Sequence, residues 1–355
     1  MLRTAYWPAK LRWLKRTGAA RGITWWMSPA EWLYGRLCGT ATASLSMASG
    51  TGLVDLRGTN WDASLLRSLQ VRAESLGPIS DEPLEVVDRR PALPALHRFA
   101  ELRHAAWFPA LGDGAASNLG SDAVTPRVAA INVGTSAALR LMSGRVPARL
   151  ADGLFCYRVD GARWLLGGAI SNAGNLRQWA LHQLRLPVRP AALERALAQR
   201  NAPNKNLVVL PFWTGERAPS WPDVVGGTIT GVTYATSALD LLQALTESTY
   251  HRLAQIADLL QKQNRGSFEI TVSGGIRHSR ESMQRLANVL DRAVTACPEP
   301  EASLRGAAIY ALERLGHGPA PLGKGRSFSP HAASARLYAE ARAAQIELEK
   351  KIAGP

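Results

Sequence analysis

The chain contains 355 residues, 46% of them hydrophobic, and carries a formal net charge of +14 at pH 7. Because one hydrophobic core seldom extends over so long a chain, we expect two domains. The sequence has no run of 18 apolar residues, which argues against a transmembrane helix, and residues 1–10 lack the apolar stretch of a signal peptide. The three cysteines lie far apart, which argues against a disulfide framework and fits a cytoplasmic location.

The positive charge is spread along the chain and is not concentrated beside a recognisable motif. The sequence shows no helix-turn-helix, zinc-finger or RNP signature, and its seven histidines have no metal-ligand spacing. We therefore predict no nucleic-acid partner and no metal-ligating residues, and we attribute the charge to an arginine-rich composition. Such a charge would still attract anionic small molecules, including nucleotides and sugar acids.

Residues 1 to about 110 have patterns typical of helices joined by loops. Ser28, Pro29 and Glu31 form a helix start, with an N-cap serine, a proline at the first position and a glutamate at the third. Segment 44–53 is rich in serine and glycine and predicts a loop. The proline-bearing segment 77–94 predicts irregular structure.

From residue 128 onward, strand and helix patterns alternate, which indicates a layered α/β domain. Strands are predicted at 128–133, 154–159, 163–166, 207–210 and 268–272, and the second and third form a hairpin around Asp160 and Gly161. Helices are predicted at 171–186, 237–263, 280–290 and 303–315, with a further surface helix from about residue 332. In helix 171–186 we expect Trp179 to face the interior.

Four glycine-bearing segments lie at predicted strand ends or helix starts. They are Gly134-Thr135-Ser136, Gly167-Gly168-Ala169, Ser273-Gly274-Gly275 and Arg305-Gly306-Ala307-Ala308. Ligands of α/β sheets bind where strands end and helices begin, and a turn of small residues can hold phosphate oxygens with its backbone N–H groups. The alternative is that Gly167-Gly168 and Gly306 serve close packing.

The segment Gly112-Asp113-Gly114 places a single carboxylate between two glycines, where the backbone can approach a ligand. A carboxylate followed by a phosphate-holding turn supplies two parts that an ATP-dependent small-molecule kinase needs. The carboxylate takes the proton from the substrate hydroxyl, and the turn positions the transferred phosphoryl group. A Gly-Asp-Gly segment is also a common tight turn.

In this order the motifs resemble the FGGY family of carbohydrate kinases, within the actin/hexokinase superfamily, and its gluconokinase branch most of all. The resemblance extends over residues 4–318 and is carried by segments 6–14, 44–53, 112–114, 210–219 and 272–279. Segment 210–219 is the longest and most specific of them. The resemblance implies an α/β, actin/hexokinase-like (ribonuclease H-like) two-domain ATPase fold. Its parts would be a first domain at 1–126, a nucleotide-binding domain at 127–318 and a helical tail at 319–355.

The resemblance also implies roles for individual residues. Asp113 would be the general base. The ATP phosphates would be contacted by Gly134 and Thr135, and the rest of the nucleotide pocket would be lined by Gly168, Gly274, Gly275 and Ser279. The sugar would be contacted by Tyr6, Lys10 and Gly114, while Glu216 and Arg217 would brace the loop between the domains.

The implied reaction is phosphorylation of a sugar or sugar acid by ATP with Mg²⁺. Gluconate is the first candidate, and xylulose, ribulose and glycerol are alternatives. Family members begin with a strand and an Asp-x-Gly-Thr loop that binds phosphate and helps to place Mg²⁺, and residues 1–30 do not resemble it. We therefore expect an incomplete first domain and little or no activity from this chain alone.

Three interpretations remain open at this point. The chain could be a sugar-acid kinase that is truncated, starts at a misplaced position or is completed by a separate N-terminal fragment. It could instead be a non-catalytic relic that still binds nucleotide. A basic nucleic-acid-binding protein is the third interpretation, and it would require binding that persists at high salt.

Overall fold

The computed structural model describes residues 4–84, 100–187, 189–200, 202–204, 206–222, 226–264 and 266–353. Its strands are β1 (Val128–Val133), β2 (Ala137–Ser143), β3 (Phe155–Arg158), β4 (Trp164–Ile170), β5 (Val208–Leu210), β6 (Thr228–Thr230), β7 (Glu269–Gly274), β8 (Val294–Ala296) and β9 (Ser327–Phe328). Its α-helices are α1 (Trp7–Arg16), α2 (Pro29–Cys38), α3 (Leu45–Gly50), α4 (Ala63–Leu69), α5 (Asp113–Gly120), α6 (Gly174–Gln183), α7 (Pro190–Ala198), α8 (Ala238–Gln263), α9 (Arg280–Leu290), α10 (Ala302–Arg314) and α11 (Ala332–Ala353). Short 3₁₀ helices occupy Ala73–Ser75, Ala100–Arg103 and Gly275–His278.

A mixed sheet with the strand order β3-β4-β2-β1-β7-β8-β9 forms the centre of the molecule. β1 pairs antiparallel with β2 and parallel with β7, and β7 pairs parallel with β8. β5 and β6 form a separate antiparallel ribbon. The predicted α/β layering is confirmed, and so is the hairpin, which pairs β3 with β4. Ahead of residue 128 the described residues form helices, and their β structure is limited to isolated bridges.

The two faces of the sheet have different surroundings because successive residues of a strand point to opposite sides. On one face, Ile131, Leu139 and Ile170 are completely buried against Leu253 and Ile256 of α8. Burial of one such side chain contributes about 1.5–3 kcal/mol relative to its exposure to water. This face therefore carries the main hydrophobic core.

The opposite face holds α5 and α10, which cross each other at two glycines. A Cβ atom on Gly120 of α5 would lie 1.6 Å from the carbonyl oxygen of Ala302, and one on Gly306 of α10 would lie 1.8 Å from that of Ala116. Leu119 of α5 packs with Met142 and Tyr310 beneath this crossing. The glycines therefore hold α5, whose first residue is Asp113, close to α10.

Two of the four glycine segments are not turns. Gly306 lies inside α10, and Gly168 lies inside β4, where an added Cβ would be 2.8 Å from the Ile256 side chain. Both positions serve close packing, which was the alternative left open by the sequence. The turns at Gly134 and at Gly274-Gly275 do follow strand ends, as predicted.

Several local predictions are wrong. Residues Leu45–Gly50 form α3 and not a loop, because the Ser44 hydroxyl caps the helix by accepting a hydrogen bond from Met47 N at 3.0 Å. The helix predicted from residue 171 begins at Gly174, and Trp179 remains 38% exposed while it packs against Trp213. Of the irregular segment predicted at 77–94, residues 85–94 lie outside the described residues.

The C-terminal helix α11 is not confined to the surface. Tyr338, Gln345 and Glu349 are buried on one of its faces, and Gln345 Nε2 donates hydrogen bonds to the carbonyl oxygens of Val209 and Ser248. These contacts connect the expected tail to β5 and α8. Although its sequence is rich in alanine and glutamate, this helix therefore has a polar face that is buried.

The α5–α10 crossing leads to a stability prediction for Gly306→Ala. Alanine stabilises an exposed helix by up to about 1 kcal/mol relative to glycine, but here its Cβ would collide with a backbone carbonyl, so we expect a loss of about 1–3 kcal/mol. Urea unfolding followed by circular dichroism measures the change. Gly318→Ala is the control, since a Cβ there meets no atom within 4 Å. An unfolding midpoint raised by Gly306→Ala would contradict the close-packing role.

Candidate active site

Two cavities lie on either side of the turn that joins β1 to β2. The first, the sheet-face cavity, has a volume of about 700 Å³ and is bordered by the N-terminus of α5, by α3 and by the face of the sheet opposite the main core. The second, the strand-end cavity, has a volume of about 520 Å³ and lies at the ends of β1 and β7. Asn132 and Ser136 line the first, whereas Val133, Gly134 and Thr135 line the second. The turn therefore forms the boundary between them.

Asp113 lines the sheet-face cavity as the first residue of α5. Its Oδ1 accepts a hydrogen bond from Gly114 N at 2.7 Å, and the preceding Gly112 N donates to Ser46 Oγ of α3 at 3.1 Å. The positive end of the helix dipole favours a carboxylate at this position. The structure thus places Asp113 and Gly114 together in one cavity, and the segment is a helix start and not a tight turn.

The turn at Gly134-Thr135-Ser136 is fastened to the start of α6. Gly134 N donates to Ser136 O at 2.9 Å, while Gly134 O and Thr135 O accept from Gly174 N and Asn175 N at 2.9 and 3.1 Å. Gly174 permits this approach, since its Cβ would lie 2.4 Å from Gly134 O. Gly134 and Thr135 remain exposed to the strand-end cavity. A rigid turn that faces an open cavity suits the binding of phosphate oxygens.

The other wall of the strand-end cavity is the segment that follows β7. Gly274 has a φ of +88°, and a Cβ there would lie 2.3 Å from Val133 O, so its function is to let two strands end side by side. The next residue, Gly275, lines the cavity. Ser279 lines it too, but its hydroxyl already donates to the Glu194 carboxylate at 2.8 Å and accepts from Ser282 N at 3.0 Å.

Four of the predicted site residues, Gly168, Gly274, Tyr6 and Lys10, do not line either cavity. Gly168 faces α8, because its place in β4 turns it toward the main core, so its expected position in the nucleotide pocket is corrected. The Tyr6 hydroxyl is hydrogen-bonded to that of Tyr157 at 3.0 Å, and Tyr157 lines the sheet-face cavity. Lys10 is exposed on α1. The sugar contacts predicted for Tyr6 and Lys10 stay predictions.

Sequence reasoning missed an arginine of the sheet-face cavity. Arg140 projects from β2 on the same face as Ala138, and a Cβ on Gly114 would lie 2.7 Å from its Nε. Burial lowers the pKa of Arg140, and the charge of Asp113 opposes that shift. The sequence did carry a signal for this residue, since Arg140 lies within the apolar run Ala137–Met142. Burying a charged side chain in such a strand does not stabilise it.

The segment 210–219 is attached to the end of β4 by hydrogen bonds, whereas the brace between domains predicted for Glu216 and Arg217 stays a prediction. Glu216 Oε1 accepts hydrogen bonds from Ser171 N and Arg217 N, both at 2.7 Å, and Asn172 Nδ2 donates to Gly215 O at 2.9 Å. Glu216 Oε2 is buried without a hydrogen-bond partner among the described residues. Burial raises the pKa of Glu216 to about 7.

The described residues contain neither a membrane-spanning helix nor a metal-binding cluster. None of their helices is long and apolar enough to cross a bilayer. No three of their His, Cys, Asp and Glu side chains form a group that could hold a metal ion.

Comparison with known proteins gives a consistent family match. Residues 129–313 match the C-terminal domain model of the FGGY family of carbohydrate kinases, and residues 1–83 match its N-terminal domain model. A gluconokinase of Bacillus subtilis (strain 168) is 24% identical over 321 residues, which are 87% of this chain and 62% of that protein. A glycerol kinase of Nocardia farcinica (strain IFM 10152) is 28% identical over 333 residues, or 89% of this chain and 65% of that protein.

A similar solved structure is that of ligand-bound xylulose kinase from Lactobacillus acidophilus. The TM-score is 0.87 at 26% identity, with 98% of this chain and 72% of that chain covered. The predicted actin/hexokinase-like fold class is confirmed by this likeness. The chain spans less than two thirds of the length of the gluconokinase and glycerol kinase that it matches.

The buried Glu216 gives a prediction about pH. A carboxyl whose pKa is about 7 in the folded state and ordinary in the unfolded state binds its proton more tightly when folded. Glu216 therefore adds on the order of 3 kcal/mol to the free energy of unfolding below about pH 4.5. This contribution is lost as the pH rises to about 7. Urea unfolding measured from pH 4.5 to pH 8 should show this decline.

Glu216→Gln is the matched variant, because its amide keeps the Oε1 acceptor and removes the ionisation. The variant should lack the decline that the wild-type chain shows over this interval. Parallel pH profiles for the two proteins would rule out Glu216 as the group responsible.

Proposed function

The chain belongs to the FGGY family of carbohydrate kinases, and we propose that it is part of an enzyme that phosphorylates a hydroxyl of a sugar or sugar acid with ATP. The observation that supports this proposal is the placement of Asp113 and of the Gly134-Thr135 turn. They face adjoining cavities that share the β1–β2 turn as a boundary. A proton acceptor on one side and a phosphate-holding turn on the other suit transfer of a phosphoryl group across that boundary.

The proposed step assigns the proton to Asp113. The substrate hydroxyl oxygen forms a bond to the γ-phosphorus of ATP, the bond from that phosphorus to the β–γ bridging oxygen breaks, and the hydroxyl proton passes to the Asp113 carboxylate. Gly112 and Gly114 let Ser46 and Arg140 approach the backbone beside the carboxylate, since an added Cβ would lie 3.2 Å from Ser46 Oγ and 2.7 Å from Arg140 Nε. Oriented reactants account for much of the rate in such a reaction, so the rigid attachment of the turn to α6 matters as much as the base.

The strand-end cavity fits a nucleotide in size and in lining. Its volume of about 520 Å³ lies within the range of small-molecule sites, and backbone groups of Gly134 and Gly275 border it together with the Thr135 side chain. Mg²⁺ is usually held by substrate phosphates, water and one or two carboxylates. Asp113 lines the sheet-face cavity and would be the carboxylate nearest to an ion that arrives with the nucleotide and neutralises phosphate charge.

The substrate that we propose is a sugar acid, with gluconate as the first candidate. A gluconokinase is among the similar proteins, and a cavity with three arginines on its walls suits an anionic substrate. Xylulose, ribulose and glycerol are the neutral alternatives. A glycerol kinase and a xylulose kinase are also similar to this chain, so the family match alone does not separate the substrates.

Nucleotide binding should be measurable without turnover. We expect ADP or ATP at a hundredfold excess over Kd to stabilise the folded chain by about 2.7 kcal/mol, read as a rise in Tm. Gly275→Val should abolish the rise, because the position meets no atom within 4 Å and the added side chain enters the strand-end cavity. Gly144→Val, also at an open position, should keep it. The absence of a Tm rise in folded wild-type protein would contradict nucleotide binding.

Asp113→Asn tests the assignment of the base. We expect it to lower the rate of phosphoryl transfer to gluconate about 10²- to 10⁴-fold, because an amide cannot accept the hydroxyl proton. Affinity for ATP should be unchanged, since Asp113 lies outside the strand-end cavity. Transfer of labelled phosphate at high protein concentration remains measurable even when turnover is far below the 1–100 per second that is roughly usual for kinases.

Asp122→Asn is the control for this substitution. Asp122 has a φ of 55°, which asparagine also tolerates, and its half-exposed carboxylate pairs with Arg305 at 2.9 Å. We expect nearly wild-type transfer. Loss of transfer in Asp122→Asn with retention in Asp113→Asn would overturn the site assignment. Nucleotide binding without transfer to gluconate, xylulose, ribulose or glycerol would instead support a nucleotide-binding relic.

A further inference from the structure

Three arginines line the sheet-face cavity, and they differ in how their guanidinium groups are satisfied. Arg158 donates to the carbonyl oxygens of Leu56, Arg57, Gly58 and Gly161 at 2.8–3.1 Å. Arg217 donates to Ile170 O at 2.8 Å. The guanidinium group of Arg140 makes neither a hydrogen bond nor an ion pair with any residue that the structure describes. Arg140 is therefore the arginine of this cavity whose guanidinium has no partner among the described residues.

The surroundings of Arg140 leave its head group accessible from the cavity. In the sheet it lies between Ala130 of β1 and Gly167 of β4, and Ala138 and Ala169 occupy the next row on the same face. Gly114 lies above it. Gly114 packs directly on the guanidinium, whereas the short side chains of the alanines leave the partly exposed Arg140 reachable from the cavity that it lines. A partly buried cation without a partner is costly, and an anionic ligand would remove that cost.

Asp113 is near enough to interact with the charge of Arg140, yet no ion pair between them is within 4.0 Å. The carboxylate therefore stays free to accept a proton. A guanidinium presents parallel N–H groups that match the two oxygens of a carboxylate. We infer that Arg140 binds the carboxylate of a sugar acid and so determines the preference for an anionic substrate. This inference rests on the proposed kinase function and names the residue that selects its substrate class.

The position of Arg140 favours a substrate carboxylate over the nucleotide phosphates. Arg140 is four residues beyond Ser136, so its backbone lies about 13 Å along β2 from the turn that borders the strand-end cavity. It lines the sheet-face cavity and does not line the strand-end cavity. A small molecule with a hydroxyl at Asp113 can direct its carboxylate to Arg140 within the same cavity.

The test compares gluconate with glucitol, a neutral polyol of the same carbon number, by titration calorimetry on the full chain. Arg140→Met removes the charge and preserves much of the length, and Arg140→Lys keeps the charge without the paired donors. We expect gluconate to bind about 10- to 100-fold more weakly to Arg140→Met, the range for lost charged hydrogen bonds. Arg140→Lys should be intermediate. Glucitol binding should be weak and the same in all three proteins.

Arg145→Met is the matched control, because Arg145 is exposed just beyond β2 and outside the sheet-face cavity. It should bind gluconate as the wild-type chain does. Circular dichroism and Tm establish that each variant is folded. Equal affinity of wild type and Arg140→Met for gluconate, or no gluconate binding to wild type, would overturn the inference.

One further outcome would contradict the inference about Arg140, and the Tm rise with ADP separates its failure from that of the kinase proposal. A loss of ATP affinity in Arg140→Met, with ADP affinity unchanged, would show that Arg140 meets the γ-phosphate and would overturn the inference. The proposed kinase function is assessed separately by the Tm rise of wild type with ADP. If that rise is present while gluconate binding does not depend on Arg140, the inference fails and the kinase proposal stands. If the rise is absent, the kinase proposal fails as well.

Discussion

The parallel pairing of β1 with β7 is the constraint on which the candidate site depends. It aligns Val133 with Gly274, so that two turns about 140 residues apart in sequence leave the sheet at the same edge. Gly274 makes the alignment possible, because any side chain there would collide with the carbonyl oxygen of Val133. The Gly134-Thr135 turn and Gly275 can therefore face one cavity. Without this register the cavity at the Gly134-Thr135 turn would lack its opposite wall.

Side chains alternate between the two faces of the central strands. Core residues therefore lie on one face and candidate site residues on the other. Residues such as Ile131 and Leu139 point to α8, while their neighbours Asn132, Ala138 and Arg140 point to the sheet-face cavity. A shift of one residue in pairing would exchange the two sets and bury Arg140 among aliphatic side chains. The large hydrophobic core on one face thus fixes which polar groups are available on the other.

Buried polar side chains connect helices α8, α9 and α11 to one another and attach segment 210–219 to the end of β4. Arg252 of α8 pairs with Glu349 of α11 and donates to Ser220, and Arg285 of α9 pairs with Glu247 while donating to the Tyr338 hydroxyl. A buried charge that loses its partner is strongly destabilising, so the Arg252–Glu349 pair, with the bonds of the Tyr338 hydroxyl to Arg285 and Glu247, holds α11 in position. Glu216 acts similarly for segment 210–219, since its carboxylate accepts from the backbone at the end of β4. Elements distant in sequence thereby support the same edge of the sheet.

Local sequence patterns determined the elements themselves. The bounds of β1 and α9 follow directly from runs of apolar residues and their spacing, and the caps at Ser28 and Ser237 mark where their helices start. The order of the motifs around Asp113 determined the family resemblance. These features depend on neighbours within a few residues, which is why a single sequence could predict them.

Tertiary structure alone decided what each glycine and charge does. For Gly168 and Gly306 the sequence left ligand binding and close packing both open. Close packing is what the structure shows, because an added Cβ would collide with Ile256 and with the Ala116 carbonyl, which belong to residues far away in the chain. Arg140 gave no motif, because its importance comes from the small residues that β1 and β4 place around it. The buried face of α11 likewise exists only against α8 and β5. Sequence periodicity determines which residues share a face, but the partner of that face is set by long-range packing.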